Sequence, residues 1–202
     1  HRADLQRSYD RHAQEREEAP SPRWKDAERD AFAQVLRAAG TQTLLEIGAG
    51  TGRDGLHFQQ QGLRVVCLDL SPVMAGLCRQ KGLPVCVMDT ASLGIAPGAV
   101  DAAFACNSLL HLPKSSFLPV LRQISHCLQP GGWFFLGTHG GIETAKVWQD
   151  DPYRPQRFFS FYTDEQLLQA VGQVFAVVSF HAVDTGESSN GLHFQSLVLQ
   201  KQ

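Results

Sequence analysis

A short apolar run that breaks into spaced glycines sets what this chain can become. Thr43-Leu44-Leu45-Glu46-Ile47 reads as a buried strand, and Gly48, Gly50 and Gly52 follow at alternate positions. A helix-compatible segment, residues 55–61, comes next. Strand, glycine turn and helix, in that order, build a nucleotide-type site in a parallel sheet. Glycine lets the backbone turn sharply and lets a ligand lie against it. The following helix aims free N–H groups and its positive dipole end at the same place. A plain strand-to-helix turn would show the same glycines. Two acids argue for more. Asp69 ends the next apolar run, residues 63–68, about 20 residues on, the spacing of a carboxylate for a ribose hydroxyl. Asp89 ends a third run, residues 84–88.

The remaining segments predict alternating helices and strands. Residues 2–18 read as a polar helix with few apolar anchors (Leu5, Tyr9, Ala13), fit to be a mobile lid. Ser21-Pro22 predicts a cap and a first-turn proline for a helix over 22–39, ended by Gly40. Ser71-Pro72 predicts the same for a helix to Gln80. A fourth strand covers 100–106, and an amphipathic helix covers 115–128 with Pro119 in its first turn. Pro130-Gly131-Gly132 predicts a tight turn into a fifth strand, 133–137. Residues 140–157 read as a long mixed loop, 158–162 as an aromatic run, and Thr163-Asp-Glu-Gln166 as a capping box. Two final strands, 174–183 and 192–199, are joined through Gly186 and Gly191 and so pair antiparallel.

This pattern predicts one α/β domain of 202 residues. Its doubly wound, Rossmann-like, mostly parallel seven-stranded sheet ends in an antiparallel hairpin. Residues 1–39 form a helical lid, 41–139 a ligand-binding core, 140–162 a loop on the substrate side, and 163–202 the last helix and hairpin. Ligands in such sheets bind at the carboxyl ends of the strands. The glycine turn, Asp69, Asp89, Asn107, His111 and His139 all fall there.

Composition narrows the ligand. The net charge is −2, with no basic stripe, so neither a nucleic acid nor an anionic membrane surface is an expected partner. No apolar run is long enough to span a bilayer, and the first residues hold no signal-peptide core. The chain begins on His1 rather than Met, so a native N-terminus further upstream is expected. Cys67, Cys78, Cys86, Cys106 and Cys127 are odd in number and show neither CxxC nor zinc-ligand spacing. They are expected to be reduced core thiols of a cytoplasmic protein, with no metal bound. A dinucleotide site needs GxGxxG directly after the strand. Here that register, Gly50, Gly52 and Gly55, starts two residues late.

The ordered set is more specific. It comprises Glu46-Ile-Gly-Ala-Gly-Thr-Gly, Asp69, Asp89, Asn107-Ser-Leu-Leu-His-Leu and Leu128-Gln-Pro-Gly-Gly-Trp. Over residues 41–138 it resembles a class I S-adenosylmethionine-dependent methyltransferase of the small bacterial, small-molecule type. Residues 158–167 and the closing hairpin are similar to that group as well, whereas 140–157 are not. The resemblance implies S-adenosyl-L-methionine as cofactor, with S-adenosyl-L-homocysteine as product. Gly48, Gly50 and Gly52 would admit its amino-acid and ribose parts. Asp69 would accept from the ribose hydroxyls, Leu70 would cover an adenine face, and Asp89 with Thr90 would hold the adenine amino group. Asn107 would contact the methionine part, and Tyr9 would close the lid.

The methyl acceptor is expected to be a small molecule attacking through oxygen or nitrogen, and the protein a monomer or homodimer. A neutral hydroxyl would need a base, for which His111 and His139 are the candidates and Glu143 a third. A backbone hydrogen bond that wedges the loop is the other reading of His111. Arg154 and Arg157 would bind an acidic acceptor or pair with Asp150 and Asp151, and Trp148, Tyr153, Phe158, Phe159 and Phe161 would roof the acceptor or pack the last helix. No Asn/Asp-Pro-Pro-aromatic motif follows the fourth strand, which argues against methylation of a nucleobase amino group. Two other functions stay open: a catalytically silent cofactor-binding module acting through a partner, and a nicotinamide oxidoreductase.

Overall fold

The structure, a computed structural model, describes residues 1–186 and 191–202. Its centre is β1 (Thr43–Ile47), buried on both faces as an interior parallel strand must be. Leu44 packs into the apolar layer on one face; Leu45 and Ile47 pack into the layer on the other. Around it lie β2 (Arg64–Asp69), β3 (Val85–Val87), β4 (Val100–Cys106), β5 (Leu128–Gly140), β8 (Phe175–Val183) and β9 (His193–Lys201). The order across the seven-stranded sheet is β3-β2-β1-β4-β5-β9-β8. The first five run parallel, and β9 is antiparallel to both β5 and β8, giving the expected C-terminal hairpin. Its connecting residues 187–190 lie outside the described residues.

Helices cover both faces because their apolar residues recur at helical spacing. On one face α3 (Arg23–Ala38) buries Phe32, Ala33 and Leu36 together with α4 (Arg53–Gln60) and α5 (Pro72–Gln80). On the other, α6 (Lys114–Cys127) buries Phe117, Val120, Leu121 and Ile124, beside α7 (Asp164–Val171). The caps at Ser71 and Thr163 form as their residues predict, the latter as a full capping box. The N-terminal helices α1 (Arg2–Arg11) and α2 (Ala13–Glu18) break at His12. No helix among the described residues is long and apolar enough to cross a membrane.

Several local expectations are corrected. Pro22 is the N-cap of α3 rather than its first residue, and Ser21 Oγ donates to Asp26 Oδ1 at 2.8 Å instead of capping. Pro119 is the sixth residue of α6, past the first turn, so it removes one intrahelical bond. Pro130, Gly131 and Gly132 lie inside β5, where the register against β4 jumps between Leu128 and Trp133; they form a bulge, with Gly131 at φ 72°. The segment read as a loop holds β6 (Thr144–Val147), paired antiparallel with β7 (Phe158–Phe161). Of the five cysteines, all free, Cys86 is exposed and Cys106 half-buried, because Cys86 sits on the edge strand β3.

Candidate functional site

The chain leaves β1 for β2 on one side and later returns to place β4 on the other, so a crevice opens where their carboxyl ends part. The glycine turn occupies it. Gly48 and Ala49 donate their N–H groups to the Leu68 carbonyl at 2.8 and 2.9 Å. Gly48 has φ 74°, and a Cβ there would stand 2.3 Å from the Ser108 Cβ; only glycine lets the two strand ends approach so closely. Asp69 is locked from the side: Gly50 N–H donates to its Oδ2 at 2.7 Å and Ser71 N–H to its Oδ1 at 2.8 Å. Burial pushes this carboxyl up to about 6, against the pull of those two N–H groups.

A cavity of about 390 Å³ sits over this crevice, within the range of small-molecule sites. The glycine turn contributes Gly48 and Gly50, and the strand ends contribute Asp69, Leu70, Asp89 and Thr90. Asn107 and His111, just after β4, and Tyr9 of α1 complete it. Gly52 and His139 are not in its wall. Gly52, at φ 81°, faces Cys78 and Leu83 and starts α4, so its role is packing and turning. His139 places Nδ1 3.0 Å from Asn107 Oδ1 and packs against Trp24 and Phe194. Asn107 stands at φ 53°, the one non-glycine residue with positive φ among the described residues, a strained conformation of the kind found at functional sites.

The N-terminal helices are held by named contacts. Tyr9 Oη lies 2.7 Å from His111 Nε2, and His111 Nδ1 lies 2.8 Å from the Phe158 carbonyl. A carbonyl only accepts, so Nδ1 carries the ring proton and Nε2 accepts from the tyrosine. Burial, aided by the nearby Arg157 and Arg16, pushes the imidazole down to about 3. Arg157 donates to Tyr9 Oη at 3.2 Å and is clamped by Asp151 through Nε (2.9 Å) and one terminal nitrogen (2.7 Å). Of its two readings, Arg157 therefore takes the ion pair. Arg2 pairs with Asp89 at 3.0 Å, and Arg53 donates to the carbonyls of Glu17 and Ala19. Glu143 pairs with Lys114 at 2.9 Å and lies outside the cavity wall.

Lys25, Arg16, Ser108 and Asp54 are among the wall residues to which sequence reasoning gave no role. Lys25 reaches Asp54 at 2.8 Å from the solvent-looking side of α3, where a lysine signals nothing. Beside them Glu46 is buried, its carboxyl raised by burial and by Asp54, and Cys67 Sγ donates to it at 3.3 Å. Ser108 Oγ is buried in the wall without a hydrogen-bond partner.

Residues 44–132 match the family model described as a methyltransferase domain. The biotin biosynthesis bifunctional protein BioHC of Cellvibrio japonicus is 30% identical over 191 residues, covering 83% of this chain and 36% of that protein. The human thiol S-methyltransferase TMT1A is 28% identical over 129 residues, covering 58% and 52%. The chain thus spans between about a third and a half of these relatives' length. The structure of Burkholderia thailandensis 1,6-didemethyltoxoflavin-N1-methyltransferase, with 1,6-didemethyltoxoflavin and S-adenosylhomocysteine bound, superposes with a TM-score of 0.75. Its identity is 23%, covering 98% of this chain and 87% of that one. Residues 44–132 thus match a methyltransferase domain, and the chain shares the fold of that N1-methyltransferase structure.

Proposed function

We propose that this chain transfers the methyl group of S-adenosyl-L-methionine to an oxygen or nitrogen atom of a small molecule. The observation that carries the reading is Asp69, a buried carboxylate fixed by Gly50 and Ser71 N–H groups on the wall of the cavity at the strand switch point. The wall suits the cofactor. Asp69 accepts from the ribose hydroxyls, while Asp89 and Thr90 border the adenine. Gly48 and Gly50 admit the amino-acid part, and Lys25 and the unpaired Ser108 hydroxyl stand ready for its polar end. The bound cofactor supplies an electrophilic methyl on a sulfonium, and the protein supplies orientation and a dry pocket. A dinucleotide is disfavoured by the same wall. The second glycine of the late GxGxxG, Gly52, faces Cys78 and stands outside the cavity wall, where a pyrophosphate would need its backbone.

His111 acts in this reading by orienting Tyr9 rather than as a base, since its Nε2 is occupied by the Tyr9 hydroxyl and burial leaves its imidazole a weak proton acceptor. The N-terminal helices serve as the lid over cofactor and acceptor. The setting is cytoplasmic, on the strength of five free cysteines, with no nucleic acid or membrane as partner. A thermal-shift titration with S-adenosylmethionine, S-adenosylhomocysteine and NAD tests the reading on the wild type and Asp69→Ala. Stabilisation by the two sulfur compounds, lost in the variant, is expected; a shift with NAD alone overturns it. Binding without turnover on any acceptor would favour the silent module.

A further inference from the structure

The lid end of the cavity carries a guanidinium in no direct ion pair among the described residues. Two guanidinium groups flank the Tyr9 ring, Arg157 at 5.3 Å and Arg16 at 5.4 Å from its centroid. Arg157 is neutralised by the buried Asp151. Arg16 lines the cavity, donates to Tyr153 Oη at 3.3 Å, and belongs to none of the ion pairs among the described residues. Its other neighbours are the Tyr9 ring, His111, which burial keeps neutral, and, through space, the Asp69 carboxylate. The carboxylates at the inner end have closer partners: Asp54 has Lys25 and Arg29, Asp69 has backbone N–H groups, and Asp89 has Arg2. A sulfonium donor adds a second positive charge to the same cavity. Two cations facing one space repel unless an anion lies between them. The planar fork of arginine suits a carboxylate, and one guanidinium balances a monoanion, whereas a phosphate monoester of about −1.5 to −2 charge would remain unmatched.

We propose that Arg16 docks a carboxylate of the methyl acceptor, so that the substrate class is small carboxylic acids. This rests on the methyl-transfer reading above. Arg16 is a specificity residue presented by the lid: α2 brings it over the cavity only when the lid is seated, so acceptor binding and lid closure reinforce each other.

Isothermal titration of wild type saturated with S-adenosylhomocysteine tests this. The probes are acetate, benzoate, phenylacetate and phenoxyacetate, with benzamide and phenyl phosphate as controls. At least one carboxylate should bind, benzamide should not, and Arg16→Gln should weaken the carboxylate about tenfold or more, with partial recovery in Arg16→Lys. Affinity for S-adenosylhomocysteine should stay within about twofold in both variants. The inference is overturned if no carboxylate binds, if binding is equal in Arg16→Gln, or if phenyl phosphate binds best. It is overturned too if Arg16→Gln loses S-adenosylhomocysteine, which would make Arg16 a donor ligand. Failure of the wild type to bind S-adenosylhomocysteine at all would instead sink the methyl-transfer reading.

Discussion

Asp69 shows how one residue sets two measurable properties. Its carboxyl sits near 6 because burial outweighs two backbone N–H donors. Only the ionised form accepts freely from ribose hydroxyls, so affinity for S-adenosylhomocysteine should fall as pH drops through about 6; flat affinity from pH 8 to 5 by titration calorimetry would exclude this role. Asp69→Ala removes charge-assisted bonds of about 1.5–3 kcal/mol each, a loss of about tenfold or more in affinity. His111 acts in a lower pH window. Its ring is depressed from about 6.5 to about 3, so the unfolded chain takes up the proton first. Its contribution to stability is complete above about 6.5 and is lost as pH falls towards 3. Raised Asp69 works in the opposite sense, so the test is the difference between wild type and His111→Phe in urea midpoints at pH 7.5, 5 and 4. That difference should shrink with falling pH. Asp69, Asp89, Gly48 and Asn107 were legible because a parallel strand must end where its ligand lies. Arg16 and Lys25 were not, since a charged residue on an amphipathic helix reads as solvated whether or not a cavity opens beneath it.

At the scale of elements, the N-terminal helices and β7 border the crevice through residues such as Tyr9, Arg16 and Phe158. The lid helices bury Ser8 and Ala13 but few large apolar side chains, and are tied down mostly by polar contacts such as Arg2–Asp89 and Tyr9–His111. Exposed ion pairs contribute about 0–1 kcal/mol each, which puts α1 and α2 at the low-stability end. Their amides should exchange faster than those of α6 and slow when S-adenosylhomocysteine binds; protection equal to α6 without ligand would contradict a mobile lid. The hairpin depends on Asp151, 2% exposed, which takes two side-chain bonds and one backbone N–H from Arg157. Asp151→Ala strands a buried guanidinium, with an expected cost of about 3–5 kcal/mol in urea unfolding. Strand β6 could not be read from the sequence. Thr-Ala-Lys-Val alternates over only four residues, too few to mark a strand, and becomes one because Phe158–Phe161, many residues later, pairs with it.

For the whole molecule, a ligand that binds only the folded state at about 100 times its dissociation constant adds about 2.7 kcal/mol. In a domain of 150–250 residues, where each kcal/mol moves Tm by about 2–4 °C, this is a shift of about 5–11 °C with S-adenosylhomocysteine. The sequence by itself determined the layered α/β sheet, the position of the crevice and the carboxylates at its rim. Each follows from local rules: apolar period, capping residues, glycine at a turn that admits no side chain. The tertiary structure decided the rest. It put His111 behind Tyr9 instead of against an open acceptor, turned His139 onto Asn107, sent Gly52 into packing, and brought Arg16 and Lys25 to the cavity wall. Those outcomes depend on distances between segments far apart in the chain, and on how completely the fold excludes water around them. A protonation state or a charge without a direct partner exists only once that enclosure is made.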